Sequence, residues 1–251
     1  MDEYELRRLD LREQYAAGTI AEMVGNADPV LVAGCSWGRD VFELRDRGHT
    51  VIAADIVPQK HLPDALCLDL TKGLPFKPKS LGVVILAEVL EHLLDDLAAL
   101  KLAREALSDD GLLIVSVPYY NDKPEHHPRI HSPRTLRRLL GAAGFTILEE
   151  RTRGGMIRFA GLAGLARGAG YRLTRMSRRG RSETSAETWK KVAARVNEPI
   201  IKYDSRRAKS PPFWFRTGRY YGAFFKARKG QASYDPVAAQ KKSYGDDPGD
   251  D

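Results

Sequence analysis

The sequence predicts an α/β protein built on one doubly wound, mostly parallel sheet of seven strands. Three observations predict it. A strand–loop–helix–strand unit fills Pro29 to Pro58 (PVLVAGCSWGRDVFELRDRGHTVIAADIVP), the size of a nucleotide-binding crossover. Two nearly all-apolar runs, Leu81–Leu86 and Leu112–Val117, read as strands buried on both faces. Segments with helical spacing separate the apolar runs, and that alternation gives parallel strands with helices against both sheet faces.

Each element has its own signal. Residues 2–26 read as a charged amphipathic helix with Leu6, Leu9, Tyr15, Ile20, Met23 and Val24 apolar. Val30–Ala33 is the first strand and Gly34 to Gly38 a loop of mostly small residues. Arg39–Arg47 has helical spacing and stops at Gly48; Thr50–Ala54 is the second strand, ending in Asp55. Leu66–Leu70 is the third strand and carries Asp69. The fourth, Leu81–Leu86, leads through Ala87-Glu88-Val89-Leu90-Glu91-His92 into a helix from about Leu94 to Leu107. Asp109-Asp110-Gly111 reads as a turn before the fifth strand, Leu112–Val117, which Pro118 ends. After a histidine-rich loop, Pro133 starts a helix that runs to Ala142, with Gly144 just past its end. Phe145–Glu149 is the sixth strand, and Arg219–Ala227 the last.

Composition bounds the rest. At 251 residues the chain holds one large α/β domain with an elaboration, and 43% hydrophobic residues suffice for its core. The expected organisation is an N-terminal helix over 1–28, a domain over 29–230 containing an insertion at 151–217, and a disordered tail over 231–251. Only two cysteines occur, no secretory leader is read at the start, and no apolar run reaches spanning length. A cytoplasmic protein with free thiols is expected. Cysteine and histidine do not recur at metal-ligand spacings, so no metal is expected.

The loop at 34–38 can bring a ligand against backbone, because its small residues do not block the approach. It also opens a helix, whose free N–H groups favour electron-rich ligand atoms. Asp55, at the tip of the next strand, is placed to accept hydrogen bonds from both hydroxyls of a ribose. A dinucleotide pyrophosphate fits poorly, since Ser36 and Arg39 stand where its fingerprint needs glycines. A second alternative is a serine hydrolase: Gly34-Cys35-Ser36-Trp37-Gly38 matches G-x-S-x-G, the nucleophile elbow, with Ser36 as nucleophile. That motif normally follows several earlier strands, whereas here only a helix precedes it.

From about Val30 to Gly144 the chain resembles class I S-adenosylmethionine-dependent methyltransferases, the broad group that includes ubiquinone- and menaquinone-biosynthesis enzymes. The resemblance rests on VLVAGCSWG, AADIVP, LCLDLTKGLPF, VVILAEVLEHLLDDLAAL, SDDGLLIVSVPYYN and HHPRIHSPRTLRRLLGAAGF, in that order. It implies a Rossmann-like sheet ordered 3-2-1-4-5-7-6 with the last strand antiparallel. It implies S-adenosyl-L-methionine as cofactor and S-adenosyl-L-homocysteine as product. The implied cofactor residues are Gly34, Cys35, Ser36, Gly38, Asp55, Ile56, Asp69, Leu70, Ala87 and Glu88, with Asp55 on the ribose and Asp69 on the adenine amino group. Four departures stand out: Val32 replaces an acid that meets the methionine ammonium, Ser36 replaces the middle glycine, Trp37 is bulky, and Leu81-Gly82 replaces a Phe-Asp pair. A catalytically degraded relative is therefore a further alternative.

The resemblance also implies the chemistry. The sulfonium makes the methyl carbon electrophilic, so the protein must mainly hold a nucleophile in line. His126, His127 and His131, in the loop after strand five, are candidate bases for a hydroxyl acceptor. No Asn-Pro-Pro-Tyr motif of amide methylation follows strand four. Transfer to oxygen of a small or lipid-linked acceptor is expected. The insertion carries nine arginines and no acid between Arg151 and Ser182, which exceeds the net charge of +7. It reads as a helical substrate cap whose charge meets an anionic membrane surface or an acidic substrate; nucleic acid binding by charge alone is not favoured. PPFWF at 211–215 completes that cap.

Overall fold

The computed structural model describes residues 11–57, 59–119, 125–153 and 222–239. Its elements are α1 (Leu11–Val24), β1 (Val30–Ala33), α2 (Arg39–Asp46), β2 (Val51–Asp55), β3 (Leu66–Cys67), β4 (Leu81–Ala87), α3 (Asp96–Ala106), β5 (Leu107–Pro118), α4 (Pro133–Ala142), β6 (Phe145–Arg153) and β7 (Gly222–Lys229). The chain divides into two units, residues 1–15 with 152–221 and residues 16–151 with 222–251. The described residues fall almost wholly in the second. The basic insertion beyond β6, PPFWF, the first ten residues of the expected N-terminal helix and residues 240–251 of the expected tail lie outside the described residues.

All seven strands form one sheet, ordered β3-β2-β1-β4-β5-β7-β6. The pairs from β3 to β5 are parallel, and β7 is antiparallel to β5. The order is the one the resemblance implies. The central strands are apolar along their length because helices cover both faces: Leu31, Val83, Ile85, Leu113, Ile114 and Val115 are all fully buried. Phe145, Phe224 and Phe225 are the largest fully buried side chains among the described residues. Between β1 and β4 the strand order reverses, and a crevice outside the carboxyl ends of strands at such a point is where ligands bind in open α/β sheets. The loops after β1 and β4 flank it.

Local chemistry explains where boundaries shift from expectation. β3 is two residues long because Asp69 accepts from the Thr71 amide and turns the chain into a 3-10 turn at Leu70–Lys72. After β4 the chain makes a 3-10 turn at Leu90–His92; α3 then starts at Asp96, capped by Asp95, whose Oδ1 accepts from the Ala98 amide at 2.9 Å. The expected turn at Asp109–Gly111 lies inside β5. Leu81 pairs with Leu107 but Val83 with Leu112, so the surplus residues between are accommodated by a register shift. Pro133 does open α4, behind a capping box between Ser132 and Thr135. Arg151, counted with the basic insertion, belongs to β6 and pairs with Glu149 at 2.6 Å and Glu22 at 2.7 Å.

Residues 231–239 differ from the disorder expected of them. The Ser233 amide donates to the Gly141 carbonyl at 3.1 Å, and the Tyr234 ring lies under the Arg138 guanidinium.

Candidate functional site

Asp55 organises the loop after β1. Its Oδ2 accepts from the Ser36 amide at 2.7 Å and its Oδ1 from the Val57 amide at 3.0 Å. A carboxylate offers about four acceptor positions, so one on each oxygen remains for a pair of hydroxyls. The other loop amides are also engaged: Gly34 and Cys35 both donate to the Ala54 carbonyl, and Gly38 to that of Cys35. These four N–H groups are not available to a ligand. An arrangement without them suits a ribose held by Asp55 better than a pyrophosphate, which needs convergent amides.

The loop's geometry depends on its glycines. Gly34 has φ 78°, and a Cβ there would stand 2.5 Å from Val89 Cγ2. The loops after β1 and β4 therefore touch at Gly34 and Val89, across the point where strand order reverses. Ser36, with φ 46°, is exposed on the loop. Its Oγ has no hydrogen-bond partner among the described residues, so nothing there activates it as the nucleophile of a hydrolase.

Glu88 stands at the end of β4 with φ 56°, an uncommon backbone conformation for a residue with a side chain. Two bonds to β5 fix it: its amide donates to the Ser116 carbonyl at 2.8 Å, and its Oε1 accepts from the Ser116 hydroxyl at 2.9 Å. Val32, which replaces an acid, is buried within β1. Glu88 thus supplies a carboxylate at the neighbouring strand end. Ala87 precedes it, part-buried.

A cleft of about 710 Å³ opens beside β2 and β3, lined by Ile56, Cys67, Leu68, Asp69, Lys72 and Leu74 among others. Ile56 is 63% exposed, an apolar surface available to a flat ring. Asp69 Oδ1 is committed to the Thr71 amide and hydroxyl; Oδ2 faces the exposed Lys72 ammonium at 3.4 Å. These bonds, first that of the Thr71 hydroxyl, hold the Asp69 carboxyl below its ordinary pKa. Leu70 does not line the cleft; Leu68 and Cys67, which the sequence reading passed over, do. A strand only two residues long exposes residues that the reading of a full strand had hidden.

The two thiols differ. Cys35 is buried, and burial, helped by the Asp55 charge, pushes its pKa up to about 11. At pH 8 only about one Cys35 in a thousand is thiolate, so it should be inert. Cys67 is exposed in the cleft. Iodoacetamide is expected to modify Cys67 first, and S-adenosylhomocysteine to slow that reaction at least fivefold. Mass spectrometry of the peptides checks this; equal labelling with and without ligand would remove the cleft from the cofactor site.

The histidine loop folds back on the turn after β4. His92 Nδ1 lies 3.0 Å from the His126 carbonyl, the Arg129 amide donates to the Glu91 carbonyl, and the Arg129 guanidinium donates to the Leu94 carbonyl. His126 and His127 are thereby brought against His92, with ring centroids 4.6–5.1 Å apart. Burial lowers the His92 pKa below its ordinary value. The His127 and His126 rings add to this, while the His126 carbonyl and Glu88 oppose it. His131 does not join them. It is 4% exposed, with Nε2 3.9 Å from Asp96 Oδ2, and burial lowers its pKa too. Its buried position makes it a packing residue rather than a base for an incoming acceptor. His92 takes its place in the cluster.

The residues fit a nucleoside-bearing cofactor: a carboxylate with spare acceptor positions, a loop whose glycine leaves no room for a side chain, and a cleft beside them that offers both an exposed isoleucine and a carboxylate. Comparison with known proteins agrees. The family model described as a methyltransferase domain matches residues 10–150. No curated protein matches the sequence. In structure the chain is similar to 1,6-didemethyltoxoflavin-N1-methyltransferase of Burkholderia thailandensis, solved with S-adenosylhomocysteine: TM-score 0.55, 15% identity, covering 88% of this chain and 79% of that one. It is similar to a SAM-dependent methyltransferase from Archaeoglobus fulgidus: TM-score 0.55, 17% identity, covering 91% and 100%. The (4+2)-cyclase SpnF is also similar, with TM-score 0.53 and 16% identity, covering 86% and 80%. At these identities the likeness shows the fold alone.

Proposed function

The chain belongs to the methyltransferase-domain family and is an S-adenosylmethionine-dependent methyltransferase; on that premise we propose that it methylates an oxygen atom of a small acceptor. The observation that supports oxygen is the cluster of His92, His126 and His127 at the carboxyl ends of β4 and β5, reached by the Glu88 charge. A hydroxyl must lose its proton as it attacks, and a neutral imidazole accepts one near pH 7.

The roles divide along the sheet. Asp55 would hold the ribose hydroxyls on its two free acceptor positions. Ile56 and Leu68 would cover the adenine, with Asp69 Oδ2 toward its amino group. Glu88 would meet the methionine ammonium in place of the missing acid at Val32. Bound S-adenosyl-L-methionine supplies a methyl carbon made electrophilic by its sulfonium. His126 or His127 would take the acceptor's proton, and transfer requires its oxygen to lie in line with the methyl carbon.

The test pairs hydroxyl and amine analogues of small acceptors with methyl-labelled cofactor. Label is expected in the hydroxyl members, and His126→Gln and His127→Gln should each cut turnover at least tenfold without changing affinity for S-adenosylhomocysteine. Label confined to amines, or full activity in both variants, would overturn the oxygen reading. A lipid-linked acceptor, docking of residues 151–182 on an anionic surface and a cytoplasmic, at most membrane-peripheral, location belong to the same proposal. Repeating the assay with anionic vesicles, and sedimenting the protein with them, tests these.

A further inference from the structure

The histidine cluster has a property that proton transfer does not require. One ring nitrogen from each of His92, His126 and His127 lies within 4.8 Å of the other two. We propose that these three imidazoles form a binding site for a divalent transition-metal ion of the zinc class, with at least one coordination position left open.

The donor set defines the class. Imidazole nitrogen is a borderline ligand that suits zinc, copper, nickel, cobalt and iron(II), and has little use for magnesium or calcium. Three histidines with an open fourth position is a recurrent zinc arrangement. Bonds of about 2.0–2.1 Å in a tetrahedral site put nitrogens about 3.3–3.4 Å apart, so the trio needs to close by at most about 1.5 Å. Side-chain rotation alone can supply that, since His92 and His126 are exposed.

The surroundings are those of a ligand set. A carbonyl oxygen can only accept, so the 3.0 Å contact to His126 places the hydrogen of His92 on Nδ1. The other nitrogen of the neutral ring then carries the lone pair. Histidines that bind metals usually donate their remaining N–H to a carbonyl or carboxylate in this way, which fixes both tautomer and ring orientation. Carboxyl groups stand close by: Glu91 Oε1 is 4.0 Å from His92 Nε2, and the Glu88 charge reaches this ring. The backbone ties from Arg129 and His126 hold the two loops together before any ion arrives. An ion held by all three imidazoles would occupy the lone pairs of His126 and His127, so the metal-bound cluster is a state distinct from the one in which either takes the acceptor's proton. The open position would take an oxygen or nitrogen of the methyl acceptor.

Simple aromatic packing is the rival explanation for the cluster, and phenylalanine separates the two. The full chain, with any affinity tag removed, would be stripped with chelator. It would then be titrated with cobalt(II), read by visible absorption, and with zinc(II), read by calorimetry. One equivalent should bind at micromolar concentration or below. His126→Phe and His127→Phe keep a ring in place but should weaken binding at least about tenfold. His61→Ala should leave it unchanged, and a thermal melt of each variant confirms folding. Absence of one-to-one binding in the wild type, or equal binding in the phenylalanine variants, would overturn the site. The readout does not involve methyl transfer, so it stands or falls apart from the oxygen-acceptor reading.

Discussion

Asp55→Ala is expected to weaken S-adenosylhomocysteine binding at least about 100-fold, with little loss of stability. Hydrogen bonds to a charged group contribute about 1.5–3 kcal/mol each, and Asp55 has two acceptor positions to offer a ribose. Losing both costs about 3 kcal/mol or more, which is that factor of 100. A second effect runs the same way. The Ser36 amide loses the oxygen it donates to at 2.7 Å, so the loop from Gly34 to Gly38 loses the contact that sets its shape. Asp55→Asn separates the two contributions. It keeps one oxygen and the size of the side chain, but its amide group cannot accept, so an intermediate loss of about tenfold is expected. Calorimetric titration of the three proteins decides it. An affinity for Asp55→Ala within threefold of wild type would remove Asp55 from the cofactor site.

Much of this site was legible because its signals are local. Strand, glycine, helix and acid follow one another from Val30 to Asp55 within one crossover unit, so periodicity and spacing located them. The order of the sheet was not in the periodicity; it came with the resemblance, since apolar runs do not say which strand lies beside which. Three features were out of reach for related reasons. That the amides of Gly34 and Cys35 both turn toward the Ala54 carbonyl is a matter of loop conformation, which the sequence does not show. Leu68 was hidden because a side-chain bond from Asp69 to Thr71 shortens β3. The histidine cluster escaped a search for metal-ligand spacing because His92 lies 34 residues from His126 and on another strand's loop. Conversely His131, adjacent in sequence to the other candidates, is drawn into the core by α4 and the bridge between Tyr119 and His131. Sequence proximity brought in one histidine that does not belong and left out one that does.

Gly82→Asp is expected to lower the melting temperature by about 6–12 °C, even though it restores a residue type the family commonly has there. A Cβ at 82 would lie 2.6 Å from the Asp28 carbonyl carbon and nearer still to its oxygen. The obstacle is backbone, which cannot rotate away as a side-chain end can. It is also pinned, because the amides of Gly82 and Val83 both donate to the Pro29 carbonyl at 3.0 Å, holding the start of β4 against the chain entering β1. Overpacking of this kind costs about 1–3 kcal/mol, and a carboxylate pressed toward a carbonyl oxygen adds to it, for about 3 kcal/mol in all. In a domain of this size each kcal/mol is worth about 2–4 °C. Gly82→Ala carries the steric part alone and should fall between wild type and the aspartate. Thermal melts of the three proteins measure the series, and an aspartate variant within 2 °C of wild type would show that the 28–30 segment yields. The cost should reach the cofactor as well. β1 pairs with β4 from Val30 and Val83 onward, and the loops that follow these two strands carry Gly34 and Glu88. A wedge at the start of the pair should disturb both strands and the loops they carry. In this chain the glycine at 82 is therefore a condition of the β1–β4 pairing itself.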